Sequence, residues 1–359
     1  MLGVMTAPSP RPEVAALPAY VPGARGADGP APIKLSSNES PYGPLPSVAA
    51  ALAAGGAEPN RYPDMAASAL HAELASRAGV APDAVVAGAG SVAVLAHILQ
   101  AYTGTGDEVV FAWRSFEAYP ILTAIAGATA VRVPLDASAR HDLGAMLAAI
   151  TDRTKVMLVC SPNNPTGPAV HADEFAAFMA QVPATVLVVL DEAYGEYSRD
   201  PLAVRGADVL GSYPNLLVLR TFSKAYGLAG LRVGYALGRA ELLAPVRAVV
   251  TPFSVTEVAQ SAAIASLEAV DELLERVEVT VHERARVLAA VRAAGWEAPD
   301  ADGNFVWIPA GDQTADVVAA LGALATPILV RPFAGEGVRI TIGTSDDNDA
   351  LIAALPSPR

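Results

Sequence analysis

Three short runs constrain this chain more than any other feature: Val156–Cys160, Val186–Leu190 and Leu216–Leu219 are continuously apolar and rich in β-branched residues. A strand covered on one face alternates apolar with polar, whereas a strand covered on both faces does not. The runs therefore predict the interior of a parallel sheet with helices on both sides. A polar group follows each run: Ser161-Pro162-Asn163-Asn164-Pro165-Thr166-Gly167, then Asp191-Glu192-Ala193-Tyr194, then Thr221-Phe222-Ser223-Lys224 with Gly230-Leu231-Arg232 beyond it. In open parallel sheets, ligands bind outside the carboxyl ends of the strands. One site can thus collect all three groups.

The surrounding pattern agrees. A helix is expected over Met65–Ala78, stopped by Gly79, and a strand over Ala84–Ala87. Gly88-Ala89-Gly90-Ser91 then opens a helix running to Tyr102, and strands are expected at Glu108–Trp113 and Thr129–Leu135. Such alternation argues for an open α/β sheet. After residue 250 the texture changes. Val270, Leu274, Val277, Val281, Ala285, Leu288 and Val291 recur at helical spacing up to Gly295. Strands at Asn304–Ile308, Ile328–Arg331 and Val338–Ile342, with a helix near Thr314–Leu324, complete a smaller α+β unit. Residues 1–46 are proline-rich and read as an extended arm, in which Tyr20, Asn38 and Tyr42 suggest something to lie against. The expected division is an arm at 1–46, a large domain at 47–250 and a small domain at 251–359.

With 359 residues, 52% of them apolar, there is chain enough for two cores. The balance of 24 basic against 37 acidic residues, a net charge of −13, argues against nucleic-acid binding. Cys160 stands alone, so no intrachain disulfide forms, and a reducing, cytoplasmic setting is expected. No apolar run reaches the ~18 residues of a membrane helix, and no signal peptide is expected.

The three polar groups are chemically complementary. A lysine can form a Schiff base with an aldehyde. A carboxylate can keep a pyridine nitrogen protonated, making the ring an electron sink. Serine and arginine can hold a phosphate, the arginine with two bonds. Asparagine and tyrosine can bond a phenolate oxygen. These are the four needs of pyridoxal 5′-phosphate (PLP), and none of them involves a metal.

In this the chain resembles the fold-type I, aspartate aminotransferase-like PLP enzymes of the histidinol-phosphate aminotransferase group. The likeness rests on Ser36-Ser37-Asn38-Glu39-Ser40-Pro41-Tyr42-Gly43-Pro44, Asn60-Arg61-Tyr62-Pro63-Asp64, Ser161–Gly167, Asp191–Tyr194, Ser223–Arg232 and Val338–Gly343, in the family's order. Trp113-Arg114-Ser115-Phe116-Glu117-Ala118-Tyr119-Pro120 and Arg331-Pro332-Phe333-Ala334-Gly335-Glu336-Gly337 bring it nearer to the actinobacterial aromatic (phenylalanine) aminotransferases.

The resemblance implies roles. Lys224 carries PLP and shuttles the proton. Asp191, rather than Glu192, pairs with the ring nitrogen, although an aspartate after a strand can also be a plain helix cap. Asn164 and Tyr194 hold the phenolate oxygen, and Phe116 stacks on the ring. Ser223, Arg232 and the backbone of Ser91 and Val92 take the phosphate. Most relatives carry acidic residues where this chain has Val92 and Ala93, which leaves a backbone role intact but no side-chain one. Tyr62 reaches the partner's phosphate in a homodimer with shared sites. Arg339 takes the α-carboxylate, Arg331 serves the other anionic group, and Tyr20 and Asn304 line the same pocket. The implied partners are an amino acid and a 2-oxo acid.

Four rivals remain in view. Gly88-Ala89-Gly90-Ser91-Val92-Ala93 matches a dinucleotide fingerprint, but Asp107 and Glu108 precede their strand instead of ending it. A decarboxylase of the same fold would share nearly every residue. A regulator would need a basic DNA-binding extension. Within the aminotransferases, histidinol phosphate is the alternative donor.

Overall fold

The computed structural model describes residues 8–17, 31–56 and 58–359. Seven strands form one sheet in the order Val85–Gly88, Gly234–Gly238, Leu216–Thr221, Leu187–Asp191, Thr154–Cys160, Glu108–Trp113, Thr129–Pro134. Gly234–Gly238 runs antiparallel to both of its neighbours, and the remaining pairings are parallel. The apolar runs are continuous because both faces are covered. Val188 and Leu190 enter one core with Met157, Val159 and Val218, while Leu187 and Val189 enter the other with Leu158 and Leu219. The next two residues inherit this alternation: Asp191 and Glu192 leave the strand on opposite sides.

Gly234–Gly238 is the strand of this sheet that pattern reading missed, because Gly-Tyr-Ala-Leu-Gly has neither a β-branched run nor clear alternation. Its glycines are there for close approach. A Cβ on Gly234 would overlap the backbone nitrogen of Ser91, at the start of the helix Ser91–Tyr102. That contact seats the helix N-terminus against the sheet.

A three-stranded antiparallel sheet, ordered Arg331–Phe333, Gly337–Thr341, Phe305–Ile308, lies in the C-terminal part. The long helix is Val270–Ala293, but its buried face is Leu273, Val277, Thr280, Glu283, Arg284, Val287 and Val291. The expected stripe shares Val277 and Val291 with this face but is out of phase elsewhere, and Leu274 is 39% exposed. Polar partners decide this: Arg284 donates to Tyr197 O at 3.0 Å and Gly303 O at 2.8 Å, which holds that face inward.

Within its described residues, the proline-rich segment is only partly extended. Pro12–Ala15 makes one helical turn, and Pro46 opens the helix Pro46–Gly55, where a missing N–H does no harm. Ile33–Lys34 pairs in parallel with Ile328–Leu329. Thr341 N then donates to Leu35 O at 2.9 Å, so the chain continues beside the small sheet. Among the described residues, no helix is long and apolar enough to cross a membrane.

Gly234→Ala is expected to lower stability by about 1–3 kcal/mol through overpacking. Gly230→Ala, where a Cβ meets open space, is expected to stay within about 0.5 kcal/mol of wild type. Urea unfolding of both variants checks the contrast.

Candidate active site

Register aligns the carboxyl ends of the central strands, since Cys160 pairs with Asp191 and Asp191 with Leu219. The three polar groups therefore emerge together, and a cavity of ≈ 290 Å³ opens among them. Lys224, Asp191, Asn164 and Tyr194 line it, as do Ser223 and Arg232. So do Ser91, Val92, Phe116, Arg331 and Arg339.

Lys224 Nζ lies 3.4 Å from Ser37 O and 3.3 Å from Asn38 O, so the segment from Ser36 to Asn38 passes over the amine. Burial, then the Arg339 and Arg232 charges, depress its pKa from 10.5 to about 7, with Glu39 opposing. Asp191 Oδ2 accepts from Tyr119 Oη at 2.8 Å and Oδ1 from Ala193 N at 3.2 Å. Burial nevertheless raises this carboxyl to about 6. Glu192 faces away: it accepts from Gly206 N at 2.7 Å and pairs with Arg220 at 3.2 Å. Of the two acids, only Asp191 borders the cavity.

Arg232 Nη1 donates to Ser223 Oγ at 3.2 Å, and its guanidinium occupies the space that a Cβ on Gly90 would need. Gly90, at φ +88°, precedes the helix Ser91–Tyr102, and no side chain caps that helix. The first N–H groups of a helix have no intrahelical acceptor and attract an anion. An uncapped helix start beside a serine and an arginine can hold a phosphate.

Arg331 and Arg339 are register partners on adjacent strands, and both are buried. Arg339 donates to Asn164 Oδ1 at 2.6 Å and to Ser36 O at 2.9 Å. Arg331 donates to Glu117 Oε2 at 2.7 Å. Phe116 borders the cavity and makes a T-shaped contact with Tyr119, ring centroids 5.6 Å apart. Tyr194 Oη accepts from Asn38 Nδ2 at 2.9 Å, and burial raises its pKa despite the nearby Arg339 charge. The Cys160 thiol borders the cavity, but burial and Asp191 push it up to about 12, which makes it inert.

Two expected residues do not border this cavity, and one of them, Tyr62, was expected at the partner's site. Asn304 stands behind the wall, donating to Asn38 O at 3.2 Å. Tyr62 is 82% exposed and stacks on Phe253 at 4.5 Å, away from its own chain's cavity. Tyr20 lies outside the described residues. Asn163, which reads as a turn residue, is fully buried and ties its loop to Ser115 and Thr166 at 2.8 and 2.7 Å. Sequence reasoning gave no role to Tyr119, Glu117 or Asn38, although all three sit inside the motifs that carried the resemblance. Asn38 holds φ +52°, a left-handed conformation that asparagine tolerates.

The model of the aminotransferase class I and II family matches residues 30–355. The chain belongs to that family. A protein of Streptomyces avermitilis named aromatic amino acid aminotransferase is 51% identical over 97% of this chain and 96% of its own length. One of the same name from Thermobifida fusca is 55% identical over 94% and 93%. Among solved structures, the histidinol-phosphate aminotransferase of Sinorhizobium meliloti in complex with pyridoxal-5′-phosphate matches with a TM-score of 0.87 at 28% identity, covering 98% of each chain. The aminotransferase fold is thus an aspartate aminotransferase-like one, with the mostly parallel sheet expected from the sequence. The donor set fits PLP: an amine of lowered pKa, a buried carboxylate, and the cradle at Gly90 and Arg232.

A lysine with a depressed pKa disfavours folding below that pKa, where it must be charged in both states. The penalty shrinks as pH rises from about 7 and is gone above the ordinary 10.5. Apoprotein Lys224→Met is therefore expected to melt above wild-type apoprotein at pH ~6.5, with the gap closing by pH ~10. Paired thermal melts across that range check the sign.

Proposed function

We propose that this chain transaminates aromatic L-amino acids with 2-oxo acids, using PLP carried on Lys224. The observation that carries the reading is one cavity bordered by the Lys224 amine, the Asp191 carboxylate, the Ser223–Arg232 pair and the Arg339 guanidinium. The names of the relatives above, at half identity or more along nearly the whole chain, support the aromatic donor.

When bound, PLP supplies an aldehyde for amines and a ring that draws electrons from the substrate's Cα. The residues of the chain divide the remaining work. Lys224, poised near pH 7, could take a proton from the substrate's Cα and deliver it to the cofactor's aldehyde carbon. Asp191, braced by Tyr119 Oη, keeps the ring nitrogen protonated. A cation beside it would bring its own pKa back down. Ser223, Arg232 and the N–H groups of Ser91 and Val92 hold the phosphate. Asn164 and Tyr194 would hold the phenolate oxygen, and Phe116 would pack against the ring. Arg339 grips the α-carboxylate with two parallel bonds, which fixes the direction of the Cα–H bond. Arg331 serves the variable end of the substrate.

A homodimer accounts for Tyr62. Its exposed ring, with Met65 61% exposed nearby in sequence, is a surface for a second copy, in which Tyr62 reaches the partner's phosphate site. The lone buried thiol Cys160 agrees with a cytoplasmic, reducing setting.

Steady-state assays with phenylalanine, tyrosine and histidinol phosphate test the donor. A higher kcat/KM for the aromatic amino acids is expected, and a preference for histidinol phosphate would reassign the chain. Arg339→Lys keeps the charge but loses the fork, so kcat/KM is expected to fall about ten- to a thousandfold with every carboxylate-bearing donor. Mixing inactive Lys224→Ala with Tyr62→Phe subunits tests the shared site. Activity is expected to recover in the mixed dimer, where one site escapes both changes. No recovery in demonstrated heterodimers would refute sharing.

A further inference from the structure

The segment from Arg114 to Glu117 and the hairpin from Arg331 to Glu336 are joined by two ion pairs of opposite sense. Arg114 Nε donates to Glu336 Oε2 at 2.9 Å, and Arg331 Nη2 donates to Glu117 Oε2 at 2.7 Å. The ring of Phe333 lies beside both guanidinium groups, at 5.5 Å from Arg114 and 5.7 Å from Arg331. The two pairs are not equivalent. Arg114 and Glu336 stand outside the cavity wall, whereas Glu117, Arg331 and Phe333 form part of it.

Arg331 and Arg339 stand opposite one another in register. Their positive charges would make this end of the cavity a site for a substrate with two anionic groups. Arg339 is occupied by neutral oxygens, from Asn164 and Ser36. Arg331 instead meets a carboxylate on a side chain only 30% exposed. In a partly desolvated place, that carboxylate cancels the guanidinium and repels a second anion. The Arg331–Glu117 pair carries no net charge and lies beside the ring of Phe333, which suits an uncharged aromatic group.

We propose that Glu117 determines the charge selectivity of the side-chain subsite. It neutralises Arg331, so that an uncharged aromatic side chain is accepted and a carboxylate or phosphate at the same end is disfavoured. This rests on the aromatic reading above, since it explains how a cavity end with two arginines, Arg331 and Arg339, takes a substrate with one anionic group. Glu117 is a specificity residue in this account and transfers no proton.

The test is spectral titration of the holoenzyme with two unreactive ligands, glutarate and 3-phenylpropionate. Both carry one carboxylate for Arg339, and they differ at the far end. Glu117→Gln is expected to tighten glutarate about tenfold or more and to weaken 3-phenylpropionate. Glu117→Ser, which removes the charge by another route, is expected to give the same shift. The Glu117→Gln, Arg331→Gln double variant is expected to lose the gain. Unchanged glutarate affinity, equal shifts for both ligands, or a gain that survives loss of Arg331 would each overturn the proposal. Failure of the aromatic reading shows separately, as wild-type enzyme that neither binds 3-phenylpropionate nor turns over phenylalanine.

Discussion

The site depends on a sheet whose central strands are buried on both faces. Such strands can carry almost nothing polar along their length, because an unpaired polar group in either core would go unsatisfied. Polarity is therefore deferred to the strand ends, which are aligned in register, and Asn164, Asp191 and Lys224 border one cavity there. The same two-faced burial sorts the acids, sending Asp191 to the cavity and Glu192 to Arg220. Gly234 adds the other half: without a Cβ, it lets the start of the helix Ser91–Tyr102 lie against the sheet and face the same space.

Within this frame the electrostatics are coupled. Arg339 reaches Asn164 and lowers the proton affinity of Lys224, so the group expected to hold the substrate carboxylate also tunes the amine that would move its proton. Asp191 stays braced by Tyr119 but is raised by burial, a state that an adjacent cation would relieve. A depressed lysine and an elevated carboxylate suit a site that receives a cationic ring and anionic groups.

Much of this was legible in the chain. The central strands were visible because continuous apolar runs have one economical explanation, and the residues after them were visible because their chemistry converges. What stayed hidden depended on distant partners. Tyr119 acts on Asp191 across 72 positions, and Asn38 meets Thr341 across 303. Local periodicity contains no trace of either contact. The phase of the helix Val270–Ala293 was misread for a related reason: Arg284 is turned inward by two carbonyl groups, a demand that hydrophobic spacing does not express. The strand Gly234–Gly238 escaped because close approach, rather than apolar content, selected its glycines. Glu117 was visible as part of a motif, but its meaning required Arg331 opposite it.

The central claim is that Lys224 carries the cofactor, and it has a direct chemical test. The lysines of the chain are Lys34, Lys155 and Lys224, so peptide mapping after borohydride reduction of the yellow holoenzyme gives an unambiguous answer. The account predicts a single reduced pyridoxyl adduct, on the peptide containing Lys224, with Lys34 and Lys155 unmodified. An adduct on either of those lysines, or none on a protein that retains PLP, would contradict it.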